Sequence, residues 1–160
     1  MTPDGITTED WDRVHELALE VANASGESDD VATASALRRL LALLDALQKK
    51  YGPLPTLLAT RADYLDTSEE RDYWLSAAYE QARVRSDKKN LIWISSSLAA
   101  LYLEDLGDPV KGAEWLERLH EQLQATPDAS EFEEAGRLQV ILEGLREPPQ
   151  NKQMQRTRRG

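Results

Sequence analysis

Hydrophobic residues recur along this chain at spacings of three and four, which is the period of a helix that buries one face. No stretch shows the sustained alternation of apolar and polar positions that is typical of a half-buried strand. Breaks rich in Gly, Pro, Asp and Ser divide the pattern into seven segments. The sequence therefore predicts an all-α protein of about seven helices.

Capping signals set the expected ends of these helices. The predicted helices begin near residues 7, 30, 55, 67, 89, 109 and 127, and end near 22, 51, 66, 85, 106, 125 and 146. The clearest start is Asp108-Pro109, in which Asp is the expected N-cap and Pro takes the first helical position. Thr67 with Glu70, and Ser130 with Glu133, have the spacing of capping boxes. A wide leucine stripe marks the second helix as the central packing helix: Leu37, Leu40, Leu41, Leu44 and Leu47.

An internal repeat is visible in the third to sixth predicted helices. The segment 57–66 overlays 95–104 at an offset of 38 residues, and 79–82 overlays 116–119 at an offset of 37. The first overlay aligns Ala62 with Ala100, and Tyr64-Leu65 with Tyr102-Leu103. On these positions, over roughly 54–125, the chain resembles the tetratricopeptide repeat family. The resemblance implies stacked antiparallel helical hairpins in a right-handed array with a concave, partner-binding face.

The repeat register assigns candidate partner-binding residues to that face. It places carboxylates there from the third and fifth helices, which favours a basic peptide or protein surface as the ligand. Tyr73 and Trp93 are expected as aromatic anchors, because each neighbours other large apolar residues and one of every such group must point outward. The expected partner-binding residues are Asp63, Asp66, Tyr73, Trp93, Ser97, Leu101, Glu104 and Asp105. A solvated helix face without a partner is the alternative, and it stays open.

The charge is unevenly distributed. The chain carries 19 basic and 29 acidic residues, a net charge of −10. The last 13 residues, 148–160, hold four basic residues and no acidic one, which leaves 15 basic against 29 acidic residues, or −14, on residues 1–147. A segment with this net negative charge repels nucleic acid and anionic lipid and attracts basic protein surfaces. Solubility alone would also account for the acidity.

Neither a catalytic nor a metal-binding motif is found in the sequence. The chain has no cysteine, and its two histidines, His15 and His120, stand far apart without a second ligand at metal-binding spacing. No glycine-rich phosphate loop occurs, and the serines at 95–97 lack the flanking glycines of a nucleophile elbow. We therefore expect a protein without enzymatic activity, metal or cofactor.

The start of the chain lacks the basic and apolar regions of a signal peptide, and the most apolar run, 40–47, contains Asp45. The expected location is the cytoplasm, with no membrane association. We expect a single helical-repeat domain, 1–147, followed by a disordered basic tail, 148–160.

Two functions fit this profile. The first is a dedicated inhibitor, because small acidic bacterial immunity proteins, which neutralise cationic toxins, are similar in composition to this chain. The second is a general tetratricopeptide-like adaptor or chaperone that docks peptides in its groove.

Overall fold

The computed structural model of the chain describes residues 1–147, so the expected disordered tail lies outside the described residues. Within 1–147 the ordered elements are helical and no strand occurs, which confirms the all-α prediction. The helices are α1 Thr8–Gly26, α2 Asp30–Tyr51, α3 Pro55–Ala62, α4 Ser68–Val84, α5 Lys88–Ala100, α6 Pro109–Ala125 and α7 Ala129–Arg146. A π-helical turn, Leu101–Asp105, follows α5 directly.

The chain divides into two compact units, Met1–Ile94 and a second unit that begins at Ser95. In the first unit α1 packs against α2, α3 packs against α4, and α2 also contacts α3. In the second unit α6 packs against α7, and both contact the π-helical turn. The pairs α1–α2, α3–α4 and α6–α7 are therefore formed by helices adjacent in sequence, as expected for helical hairpins. The expectation of one continuous repeat domain stays a prediction.

Short polar side chains cap the helices where the sequence predicted them. Thr67 Oγ1 accepts a hydrogen bond from the Glu70 amide at 3.2 Å. Asp108 Oδ1 accepts from the amides of Val110 at 3.0 Å and Lys111 at 3.1 Å. Each bond satisfies an amide that has no partner inside its own helix.

The capping box predicted at Ser130 is wrong. The cap of α7 is Asp128, whose Oδ1 accepts from the Glu131 amide at 3.1 Å. Ser130 already lies inside the helix, and its hydroxyl donates to Asp128 Oδ1 at 2.9 Å. Asp128 takes the capping role because its carboxylate precedes Ser130 and reaches the free amides of the first turn.

The start of α3 is held by a distant side chain. Its N-cap residue, Leu54, offers no side-chain acceptor. Asp4 replaces it: Oδ2 accepts from the Thr56 amide at 2.7 Å and Oδ1 from the Thr56 hydroxyl at 2.8 Å. Buried Asn90, at the start of α5, donates to Thr56 Oγ1 at 3.2 Å. This network ties the N-terminal segment to α3 and α5 inside the first unit.

The core of the first unit lies on the predicted leucine stripe of α2. Leu40, Leu44 and Leu47 are buried there, while Leu37 and Leu41 are half-buried. Trp11 of α1 packs against this cluster. No helix within 1–147 combines the length and the apolar character that crossing a membrane would require.

Candidate protein-binding surface

Two of the predicted carboxylates, Asp63 and Asp66, lie in the loop after α3. The sequence placed them in that helix, but α3 ends at Ala62. Both side chains are exposed. Desolvation by the surrounding protein raises the pKa of Asp63, and the positive charge of Arg71 partly opposes this effect. Asp63 is thus an exposed carboxylate whose pKa lies above its usual range, and a cationic side chain of a partner would oppose this rise.

Tyr73 is the most open of the predicted anchors, with 69% of its surface exposed. Its ring meets that of Trp74 edge-on, with the centroids 5.7 Å apart. Trp74 is half-buried and lies under the guanidinium of Arg61, 5.0 Å from the ring centroid. Arg61 also forms an ion pair with Asp45. Tyr73 is therefore backed by a fixed ring, and it points away from the core as the sequence predicted.

Trp93 is also exposed, with 43% of its surface accessible. Its neighbours Ile92 and Ile94 are buried at 3% and 1%. The expectation that one member of this group faces outward is confirmed, and that member is Trp93.

In the second unit the structure corrects one predicted site residue. Leu101 is only 1% exposed, so its side chain belongs to the core and is not available to a partner. Leu101 lies in the π-helical turn, where Tyr102 and Leu103 are buried as well. Both α6 and α7 pack on this turn, which accounts for the burial of its side chains.

The other predicted residues of this unit are accessible. Ser97, Glu104 and Asp105 are exposed. Glu104, however, is not a free carboxylate, because it forms an ion pair with Arg137 of α7. Arg137 also pairs with Glu134 at 2.5 Å. These two carboxylates raise the pKa of the Arg137 guanidinium, and Arg137 in turn lowers the pKa of Glu134.

The strongest feature of the second unit is its charge, which sequence reasoning treated only as a property of the whole chain. Residues 95–147 carry 12 acidic and 4 basic residues, a net charge of −8, against 17 and 11, or −6, in the longer segment 1–94. Three of the four basic side chains in 95–147 interact with neighbouring residues in the structure. Arg137 is ion-paired, Lys111 lies 5.2 Å from the centre of the Tyr102 ring, and Arg118 lies 4.4 Å from that of Trp115. Counting charges separately along the chain would have found this bias.

The accessible carboxylates of this unit also lie on helices that the prediction omitted. On α6 they are Glu114, Glu117 and Glu121, and on α7 they are Glu133 and Glu143. Glu117 and Glu121 line a groove of about 370 Å³ between α6 and α7, together with His120 and Arg146. The floor of this groove is apolar, formed in part by Leu116 and Leu142.

The predicted residues fall in both units: Asp63, Asp66, Tyr73 and Trp93 in the first, and Ser97, Leu101, Glu104 and Asp105 in the second. A single concave surface that combines them stays a prediction. Within 1–147, no group of three or more His, Asp or Glu side chains has an arrangement that could hold a metal ion. In comparisons with protein-family models, with curated proteins and with solved structures, nothing matches the chain.

Proposed function

We propose that this protein is a non-enzymatic protein-binding module of the immunity or antitoxin type, which binds and neutralises a basic toxin. The proposed location is the cytoplasm, and the proposed repeat architecture is tetratricopeptide-like, both on the sequence grounds given above. The partner is a protein with a basic surface, and neither nucleic acid nor a membrane is expected to bind.

The observation that carries this proposal is the density of uncompensated acidic charge in the second unit. Residues 95–147 carry a net charge of −8 over 53 residues, without the four basic residues of 148–160, and most of their few cations are engaged by neighbouring carboxylates or aromatic rings. Such a surface accelerates encounter with a basic protein and repels anionic ligands. A toxin that cleaves nucleic acid needs a basic cleft, and an acidic inhibitor is complementary to such a cleft.

The first unit contributes exposed aromatic side chains beside carboxylates. Tyr73 and Trp93 supply apolar contact area, while Asp63 and Asp66 supply negative charge near the end of α3. Aromatic anchors with polar surroundings dominate the affinity of many interfaces. Asp105 and Ser97 are the accessible candidates from α5 and the π-helical turn.

Capture of the natural partner tests this function. The full chain, tagged at one end, is used to isolate proteins from its source cells, and the captured protein is then expressed alone and together with this chain. We expect a basic protein that arrests growth alone and is harmless when the chain is present. A basic partner whose activity is unaffected would favour the adaptor function, and an acidic partner would contradict both the inhibitor and the charge argument.

A further inference from the structure

The outward face of α7 is an apolar strip with no covering element in the part of the chain that the structure describes. The helix buries Ala135, Leu138 and Leu142 against the second unit. Outside this buried face, Phe132 lies on the flank and Val140 on the far side, with 46% and 68% of their surfaces exposed. These two residues are eight positions apart, which places them two helical turns apart on one face.

Gly136 lies between them on the same strip, one turn from each. A Cβ atom built at Gly136 would meet nothing within 4 Å, so no contact in the described chain requires a glycine there. A glycine in an exposed helix interior weakens the helix relative to alanine. The absence of a side chain at this position lets another backbone approach the helix closely.

The charges around the strip are acidic. Glu133, Glu143 and Glu147 are exposed on this side of α7, and none of them forms an ion pair within residues 1–147. Of the two cations of α7, Arg137 is already held by Glu104 and Glu134, and Arg146 lines the groove between α6 and α7. A second copy of α7 would bring like charges together across the strip, which disfavours self-association through this face.

We propose that the α7 strip, Phe132–Gly136–Val140 with its acidic edges, is the docking site for a basic amphipathic helix of the partner. This inference rests on the proposed function and names the surface and the form of the ligand. Apolar residues at three- and four-residue spacing on the ligand helix pack along the strip, and its Lys or Arg side chains meet Glu133, Glu143 and Glu147.

The test uses the full chain labelled with ¹⁵N and a designed helical peptide of 18 residues, the length of α7. The peptide contains only Leu, Ala and Lys, with leucines in one stripe and lysines at its edges, and a scrambled peptide of the same composition is the control. We expect amide shifts concentrated on the outer face of α7 with the designed peptide and much weaker binding of the scrambled one. Equal binding of the two peptides would overturn the proposal.

Three matched substitutions locate the site. Val140→Lys, Val110→Lys and Val84→Lys replace valines that are 68%, 67% and 67% exposed, and each adds one positive charge. We expect Val140→Lys to raise the dissociation constant of the peptide by about tenfold or more, as for loss of an apolar anchor, and the other two to change it by about twofold or less. Unchanged thermal unfolding of each variant ensures that a loss of binding is not a loss of fold. If all three substitutions changed the dissociation constant equally, the peptide would be held by nonspecific electrostatic attraction, and the proposed α7 site would be wrong.

Two further outcomes separate this inference from the proposed function. Shifts centred on Asp63, Asp66 and Tyr73 would overturn the α7 site and leave the acidic inhibitor proposal intact. Binding of the peptide at α7 together with an acidic natural partner would overturn the acidic inhibitor proposal and leave α7 as a site for basic helices.

The basic segment of this chain, 148–160, is the competing occupant. Replacing Lys152, Arg156, Arg158 and Arg159 by Gln in the full chain tests it. Suppose that the substitutions shift the α7 amides in the absence of peptide and also tighten peptide binding about tenfold. The strip is then occupied by residues 148–160 of the same chain, and the proposal of a partner helix is wrong. We expect neither change.

Discussion

Gly112 and Gly136 are both interior helix glycines of the second unit, yet they occupy opposite environments. A Cβ atom at Gly112 would overlap Leu103 Cδ2 and lie 2.6 Å from its Cγ, whereas one at Gly136 would meet nothing within 4 Å. We expect Gly112→Ala to lower the free energy of unfolding by about 1–3 kcal/mol through overpacking. Gly136→Ala should raise it by about 0.5–1 kcal/mol through helix propensity. Denaturant unfolding measures both, and stabilisation by both substitutions would show that Leu103 moves aside freely.

Glu131 is the one carboxylate of the described chain with a buried oxygen, Oε2, that has no hydrogen-bond partner. Desolvation raises its pKa above the ordinary value of 4.5, a hydrogen bond with Ser96 opposes the rise, and the charges of Asp128 and Glu134 add to it. Because the folded state binds this proton more tightly than the unfolded state, the site costs stability at neutral pH. That cost disappears as the pH falls through the raised pKa towards 4.5.

Glu131→Gln should therefore raise the free energy of unfolding at pH 7, and its advantage over the wild type should vanish at about pH 4 and below. Urea titrations at several pH values measure this difference. Glu133→Gln is the control, because it makes the same change of charge at an exposed position of the same helix. If both substitutions behave alike, the effect is one of net charge and does not arise from the buried oxygen.

At the scale of a single helix, packing on one apolar face should dominate stability. Leu44 of α2 and Leu116 of α6 are 1% and 2% exposed. We expect Leu44→Ala and Leu116→Ala each to cost about 2–5 kcal/mol, because each removes methyl groups from a close-packed interior. Leu19→Ala, at a helical position that is 62% exposed, should change stability by less than about 0.5 kcal/mol. Thermal or denaturant unfolding measures these changes in the free energy of unfolding. Small losses of stability for both Leu44→Ala and Leu116→Ala would contradict the observed packing.

Helix starts with a local cap, such as those of α4 and α6, were predictable from the sequence, whereas the early end of α3 and the π-helical turn after α5 were not; α1 ends at Gly26, four residues later than expected. Starts such as those at Thr67 and Asp108 depend on a side chain within three residues of the amides it caps, so the signal is local. The end of α5 continues into a π-helical turn that packs against α6 and α7, and the residue spacing carries no signal for either feature. The early end of α3 at Ala62 likewise has no local stop signal: neither Gly nor Pro follows it. Leu101 was misassigned because this tertiary contact is invisible in the spacing.

At the scale of the whole molecule, the composition predicted the net negative charge, but it did not predict which exposed carboxylates carry that charge. The exposed anchors Tyr73 and Trp93 followed from the rule that adjacent residues on a helix cannot all face inward. The exposed carboxylates of α6 and α7 were not predicted, because the repeat register assigns the concave face to the first helix of each pair. The engagement of Glu104 by Arg137 joins residues 33 positions apart, a distance over which spacing carries no signal.

The basic end of the chain offers a test of what stabilises the rest. Deleting 148–160 removes four positive charges but no residue of a predicted apolar stripe. We expect the free energy of unfolding to change by less than about 0.5 kcal/mol. The measurement is denaturant unfolding at moderate salt, which screens the altered net charge. A marked loss of stability would mean that this segment contributes contacts to the folded protein.

The negative charge of the molecule should act mainly on the rate at which a basic partner is encountered. Reversal of Asp63, Asp66, Glu104 and Asp105 to Lys should slow association with the captured partner and flatten its dependence on salt, because exposed charges act mainly on the encounter rate. Steering extends over a screening length of about 10 Å at 0.1 M salt, so a carboxylate can speed association without contacting the ligand directly. Substitution of Val140 should instead raise the dissociation rate, because an apolar anchor acts after docking.

The matched control reverses four exposed carboxylates of the first unit that lie outside the predicted set, Glu9, Asp12, Glu16 and Glu27. Both variants change the net charge by the same amount, so stopped-flow association at about 0.05 and 0.5 M salt separates local from global effects. We expect the predicted set to slow association more than the control set does. Equal slowing would show that only the net charge matters, and unchanged rates in both would reduce the acidity to a property of solubility.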